Sequence, residues 1–399
     1  MQISGKAKEL KARGINVIDL SVGEPDFPTP QRIKNAAIKA MDDGHTGYTM
    51  AAGIVPLRES ISLWIKKFSG VEYASNEIIV SNGAKHSLYN TLQAIIEVGE
   101  EVIIPAPYWV TYPALVKIVD GIPVYIETTQ ESDFKITPEQ LKAAITDKTR
   151  ALILCNPSNP TGSVYSKTEL EEIGKIVLEN DLYVISDEIY SRLVYDNFEY
   201  ASFPSLSPEL KKKTILIEGV SKSYSMTGWR IGFTAADKEI ISGMGKLQSQ
   251  MTSNPNSIAQ YAAMEAISGP QEDVEEMRKI FAERREYLFK TLSEMTGVEV
   301  ANAKGAFYLF PDFSSYFGKS YNGSKINGSM DLAMYLIEEA KVATVPGSVF
   351  GAEGFMRIAY ATSMEKLIEE INKLGIASIG IVIFISTFIG ALFVSITLI

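Results

Sequence analysis

"NEIIVSNGAKHSLYNTLQAIIEVGEEVIIPAP", residues 76–107, carries two short β-branched runs with a longer stretch between them. The runs "NEIIVSN" and "EVIIPAP" are dense in Ile and Val and end in small or turn-forming residues, the pattern of strands buried on both faces. Between them Leu88, Leu92, Ile95 and Ile96 recur at helical spacing and form one apolar face. The spacing predicts a strand–helix–strand unit.

The pattern then repeats. "ALILCNP" (151–157) reads as a strand, Ser166 followed three residues later by Glu169 reads as a capping box opening a helix, and "LYVISDE" (182–188) returns as a strand. "KTILIEG" (213–219) and "RIGFTAA" (230–236) add two more strands. Such alternation predicts an α/β fold whose mostly parallel sheet has helices on both faces and binds ligands beyond the carboxyl ends of its strands. After about residue 285 the pattern changes to "GVEVANAKGAFYLFPDF" (297–313), a Gly/Ser/Asn-rich stretch at 314–329 that reads as a surface loop, a helix, and "VATVPGSVF" (342–350). This reads as a smaller α+β domain. The expected division is 1–43 and 286–374 in the small domain, 44–285 in the large sheet-bearing domain, and 375–399 as an apolar tail.

Composition narrows the functional classes. A chain of 399 residues with 46% apolar and 22% charged residues folds around ordinary cores, and its formal charge of −10 disfavours nucleic acid. Two histidines, His45 and His86, lie outside metal-ligand spacing, so no metal site is expected. The single cysteine, Cys155, sits in an apolar run and reads as core; lacking a partner for an internal disulfide, it is compatible with a reducing, cytoplasmic setting. Gly318-Lys319-Ser320 ends like a phosphate loop, but Phe313 stands where that loop needs glycine.

Residues 375–399, "GIASIGIVIFISTFIGALFVSITLI", hold no charge. At about 1.5 Å per residue, a helix of that length reaches across a bilayer. A membrane tail anchor is therefore expected, with Lys366 and Lys373 keeping the globular part cytoplasmic. A buried core helix is the competing reading.

Polar residues gather at the expected carboxyl ends of several strands: "SNGAKHS" at 81–87, "PAPYWV" at 105–110, "NPSNPTG" at 156–162, "SDEIY" at 186–190 and "GVSKSY" at 219–224. Together with "GEPDF" (23–27), "GYTMAAGI" (47–54), "SKSYSMTGWRIG" (221–232) and "RIAYATS" (357–363), they occur in the order seen in the aspartate aminotransferase family of class I aminotransferases. The chain resembles that family, of type I fold and dependent on pyridoxal 5'-phosphate, from about Met1 to Lys373. The resemblance implies transfer of an amino group from an amino acid to a 2-oxo acid.

By the same resemblance Lys222 carries the cofactor covalently and moves the substrate proton, a role that needs its amine neutral. Asp187 pairs with the ring nitrogen; Glu188 is the rival carboxylate, but the family match and strand alternation favour Asp187. The amides of Gly83, Ala84 and Lys85, with Ser221 and Arg230, are expected to hold the phosphate. Asn159 and Tyr190 resemble the partners of the ring hydroxyl oxygen, and Trp109 resembles the aromatic plate on the ring. Arg357 is expected to grip the substrate carboxylate through its planar fork, with Gly23 and Asn159 contacting the substrate beside it. Tyr48 resembles a residue that reaches the partner subunit's phosphate, which implies a homodimer.

Substrate choice rests on fewer residues. "LQSQMTSNP" (247–255) contains no arginine, whereas Lys85 resembles the lysine with which one subgroup reads a distal carboxylate. Aspartate with 2-oxoglutarate is the expected pair; an aromatic amino acid or prephenate is an alternative, as are a β-lyase and a tethered protein without catalysis. Family members usually carry a segment ahead of "KAKELKARG" (6–14) that helps to close the site, so weaker closure or docking is expected here.

Overall fold

The structure is a computed structural model that describes residues 2–321, 324–369 and 373. Its central sheet comprises β1 (Ile78–Ser81), β2 (Glu101–Ala106), β3 (Ile122–Glu127), β4 (Thr149–Cys155), β5 (Tyr183–Asp187), β6 (Thr214–Gly219) and β7 (Gly232–Ala235). The spatial order is β1-β7-β6-β5-β4-β2-β3. Pairing is parallel from β3 through to β6, and only β7 runs against its neighbours β6 and β1. The expected mostly parallel α/β sheet is present. β1 and β6 are buried along their whole length, which explains their unbroken apolar character.

One expectation needs correction. β1 and β2 flank the helix Ala84–Ile95 in sequence, yet four strands separate them in the sheet. Local pattern sets strand and helix but not the neighbour, because pairing is decided by which strands fill the space between. The second unit holds as read: β4 and β5 pair directly, and Ser166 caps the helix Lys167–Glu179. Its hydroxyl accepts from the Glu169 amide at 3.3 Å, while Glu169 accepts from the Ser166 amide at 2.7 Å.

In the C-terminal part, Tyr308–Leu309, Val345–Pro346 and Met356–Ala359 form an antiparallel sheet, with Arg357 opposite Val345 and Ala359 opposite Tyr308. Ile18–Asp19 pairs in parallel with Val342–Ala343. Ile3, Ala7, Leu10 and Leu20 from the start of the chain share one apolar cluster with Leu288, Phe307 and Val342. The stretch 314–329 is more structured than a surface loop: Ser314–Tyr316 forms a helical turn, Ser320–Tyr321 pairs with Ser324–Lys325, and Tyr316 and Ile326 are buried. Apolar anchors among the polar residues account for the difference. Among the described residues no helix is long and apolar enough to cross a membrane; the tail at 375–399 lies outside them.

Candidate active site

The carboxyl ends of β1, β2, β4, β5 and β6 lie along one edge of the sheet. Because β7 runs the other way, its entry, preceded by Arg230, meets that edge too, and Gly219 at the end of β6 pairs with Gly232 at the start of β7. The reversal explains how Arg230, eight residues after Lys222, reaches the same cavity.

That cavity encloses about 320 Å³. Gly23, Ala84, Lys85, Trp109, Asn159, Asp187, Tyr190, Ser221, Lys222, Arg230 and Arg357 all line it. Gly83 stands just behind, at φ 88°, where a side chain is disfavoured and a Cβ would meet the Arg230 guanidinium at 2.4 Å. Gly232 is needed equally, since a Cβ there would stand 2.3 Å from the Ala84 nitrogen. The two glycines let the Asn82–Ala84 turn, Arg230 and β7 close on one another. Tyr48 does not reach this cavity: it is 95% exposed.

Lys222 donates from Nζ to the Gly23 carbonyl at 2.6 Å. Burial, with Arg357 and then Arg230 as like charges, pulls its ammonium down to about 8, against the opposing pull of Glu24 and Asp187. The amine is thus within reach of its neutral, nucleophilic form near physiological pH.

Asp187 is 3% exposed. Burial pushes its carboxyl above the usual range, against a 2.6 Å hydrogen bond from the Tyr112 hydroxyl, a long 3.4 Å one from the Ile189 amide, and the Lys222 charge. Among the described residues this buried carboxylate has the Lys222 charge near it but no cation in direct contact. Glu188 accepts instead from Ser186, Tyr200 and the Phe203 amide and does not line this cavity.

Arg357 donates to Asn159 Oδ1 at 2.9 Å and to the Ser21 carbonyl at 2.7 Å, and its Nε is buried with no partner. Its guanidinium lies 4.6 Å from the centre of the Tyr308 ring, whose hydroxyl is 2.8 Å from that of Tyr190. Lys85 Nζ stands 4.9 Å over the Trp109 ring. Cys155 also touches the cavity, but burial first, then the Asp187 charge, pushes its thiol up to about 12, so it is inert.

Sequence reasoning passed over Tyr112 and Tyr308. Tyr112 stands just past "PAPYWV", three residues after Trp109, and packs edge-on to it at 5.5 Å. Nothing in its spacing signals that its hydroxyl reaches Asp187, 75 residues away in sequence. Tyr308 arrives through the pairing of its strand with Met356–Ala359. Among the described residues no group of three His, Cys, Asp or Glu side chains could hold a metal.

A lysine amine held close to neutrality, facing a buried acid and two arginines in the crevice of an open α/β sheet, defines a class of enzymes that work through covalent amine chemistry on anionic substrates. Residues 15–374 match the family model for aminotransferase class I and II. The chain is 51% identical to an aspartate aminotransferase of Bacillus sp. strain YM-2, with 94% of each chain covered, and 44% identical to a probable aspartate/prephenate aminotransferase of Aquifex aeolicus, again with 94% of each covered. Its fold superimposes on an aspartate aminotransferase of Rhizobium meliloti with a TM-score of 0.92 at 40% identity, over 94% of this chain and 95% of the other. The chain belongs to the class I and II aminotransferases.

Proposed function

We propose that the chain transfers an amino group from aspartate to a 2-oxo acid such as 2-oxoglutarate, with pyridoxal 5'-phosphate held in the cavity described. The observation that carries this reading is the set of cations around one reactive amine: Arg230, Arg357 and Lys85 all line the cavity of Lys222. A phosphate and two carboxylates together need about as many positive partners.

The residues fit the cofactor. The turn at Gly83, which no other residue could form beside Arg230, presents the amides of Ala84 and Lys85, with Ser221, to a phosphate. Asp187 meets a protonated ring nitrogen and thereby gains a cation in direct contact. Trp109 lies against the ring, and Asn159 and Tyr190 serve its hydroxyl oxygen. When bound, the cofactor supplies an electron-withdrawing ring that takes up the charge left as a proton departs from the substrate Cα.

The protein's own groups do the rest. With the cofactor bound, Lys222 would take up the substrate Cα proton on Nζ, a transfer suited to an amine poised near 8. Arg357, braced by Asn159 and the Ser21 carbonyl, orients the α-carboxylate so that the departing proton faces Lys222. Lys85 receives the distal carboxylate, with Trp109 beneath it.

Tyr48, fully outside its own cavity, is read as reaching the partner's phosphate in a homodimer with shared sites. The small domain is read as 1–43 with 286–374, packed on the 44–285 domain, in keeping with the cluster that joins both chain ends. A cytoplasmic setting, and a membrane tether at 375–399, belong to the same proposal. An amino-donor panel with 2-oxoglutarate, run on the full chain and on one ended at Lys373, tests it. Aspartate should lead the panel and Lys222→Ala should abolish turnover; retained turnover in that variant, or a leading donor without a distal carboxylate, refutes the reading.

A further inference from the structure

The Tyr48 side chain points away from its own subunit, yet the backbone beside it is held by two consecutive helices, Lys238–Met251 and Ser257–Ser268. Each helix sends a fully buried glutamine, Gln248 or Gln260, to the segment 49–54.

Gln248 uses its whole amide. Nε2 donates to the Ala51 carbonyl at 2.6 Å and to the Val80 carbonyl at 2.8 Å, while Oε1 accepts from the Ser81 hydroxyl at 2.8 Å and from Asn90 Nδ2 at 3.0 Å. Two carbonyls can only accept, so the amide nitrogen has to face them and the orientation is fixed. Val80 and Ser81 end β1 and lead into the Asn82–Ala84 turn. One side chain thus joins that turn to the Tyr48 segment, and the Val80 amide reinforces the join by donating to the Ala52 carbonyl at 3.0 Å.

Gln260 serves the segment and not the turn. Its Oε1 accepts from the Ile54 amide at 2.8 Å, and its Nε2 donates to the Thr49 hydroxyl at 3.1 Å and the Pro255 carbonyl at 2.9 Å. Next to it on the same helix, the Tyr261 ring stacks on His45 at 4.3 Å, so Tyr48 stands between two anchored stretches. The need to satisfy loop backbone would account for either glutamine by itself. Two of them, from different helices, converging on the residues that follow one exposed tyrosine point to its placement.

We infer that Gln248 and Gln260 are positioning residues that hold Tyr48 ready for the phosphate site of a second copy of the chain, and that Gln248 also braces the phosphate turn of its own subunit. The inference rests on the shared-site reading given above and adds the residues through which the sharing works. Neither glutamine lines the catalytic cavity. Gln260 therefore acts only across the interface, Gln248 on both sites.

Cofactor affinity separates these roles, read as the concentration of pyridoxal 5'-phosphate that half-saturates the absorbance of the Lys222-bound form when apoprotein is titrated. Gln260→Leu should weaken it about tenfold, the loss expected for a few neutral hydrogen bonds. In a hybrid dimer purified through two different tags, a Gln260→Leu subunit is paired with a Lys222→Ala subunit. The site that keeps Lys222 then receives Tyr48 from an intact segment, and the affinity of a wild-type/Lys222→Ala hybrid should return. Gln248→Leu should stay weak in the same pairing, because its own turn is loosened. In a Tyr48→Ala background, Gln260→Leu should add less than about twofold. Thr49→Val, which removes only the hydroxyl that accepts from Gln260, should weaken affinity several-fold with the same recovery in the hybrid, and serves where Gln260→Leu fails to fold. Unchanged affinity in Gln260→Leu, weakening of it or of Thr49→Val that persists in the hybrid, full recovery of Gln248→Leu, or an additive effect with Tyr48→Ala each overturns the inference while the shared site stands. If Tyr48→Ala alone leaves affinity unchanged, the shared-site reading falls and takes the inference with it.

Discussion

Lys222 is a weak base because of where it sits, and that has a measurable consequence. Its ammonium persists below about 8 and gives way to free amine above it, whereas solvent-exposed lysines stay charged until about 10.4. In the cofactor-free protein, labelling of Lys222 by an amine-reactive ester, followed by peptide mass spectrometry, should therefore rise with a midpoint near 8. Labelling in step with the surface lysines would sink the burial argument. Tyr112 is a positioning residue that acts through Asp187: its hydroxyl donates at 2.6 Å to an otherwise poorly served carboxylate. A hydrogen bond to a charged group contributes about 1.5–3 kcal/mol. Tyr112→Phe should lower kcat/KM by about 10- to 100-fold, with faster loss of cofactor on dialysis. Unchanged cofactor retention would show that the hydroxyl is only filling space.

The turn at Gly83 and the start of β7 are built as one piece. Gly232→Ala would drive a Cβ to 2.3 Å from the Ala84 nitrogen, and both sides of that contact are backbone. Overpacking of this kind costs about 1–3 kcal/mol. The variant should unfold at lower urea and bind cofactor more weakly, because the displaced strand carries Arg230 away from the turn. The cap of the helix Lys167–Glu179 offers a contrast: Ser166→Ala should cost about 1 kcal/mol of stability and leave kcat/KM unchanged, since the capping pair does not line the cavity. That cap was legible in four residues. The place of β1 at the sheet edge was not, because strand order depends on residues far away in sequence.

For the whole molecule the informative residue is Tyr48, 95% exposed although it stands in a stretch that resembles a cofactor-binding motif. Ile38, Met41 and Met50 nearby are also exposed apolar side chains. If each site draws Tyr48 from its partner, a hybrid of Tyr48→Ala and Lys222→Ala subunits holds one site with both residues. Mixing the two variants under conditions that exchange subunits should then yield more activity than either alone, about half of wild type in each hybrid dimer and about a quarter for an equimolar, randomly exchanged mixture. Activity that never exceeds that of the Tyr48→Ala protein by itself would count against sharing.

Strand and helix types, the capping pair, the chemical identity of the site residues and the order of their motifs were all present in the linear chain, because each depends on side-chain spacing within a few residues. Strand neighbours, the antiparallel turn of β7 that brings Arg230 back to Lys222, and the hydroxyls of Tyr112 and Tyr308 were not. These depend on which distant segments pack together, and so does the charge on Lys222, which is set by burial and by Arg357, 135 residues further along. Local spacing is a property of the chain; proximity and desolvation come into being only when it folds.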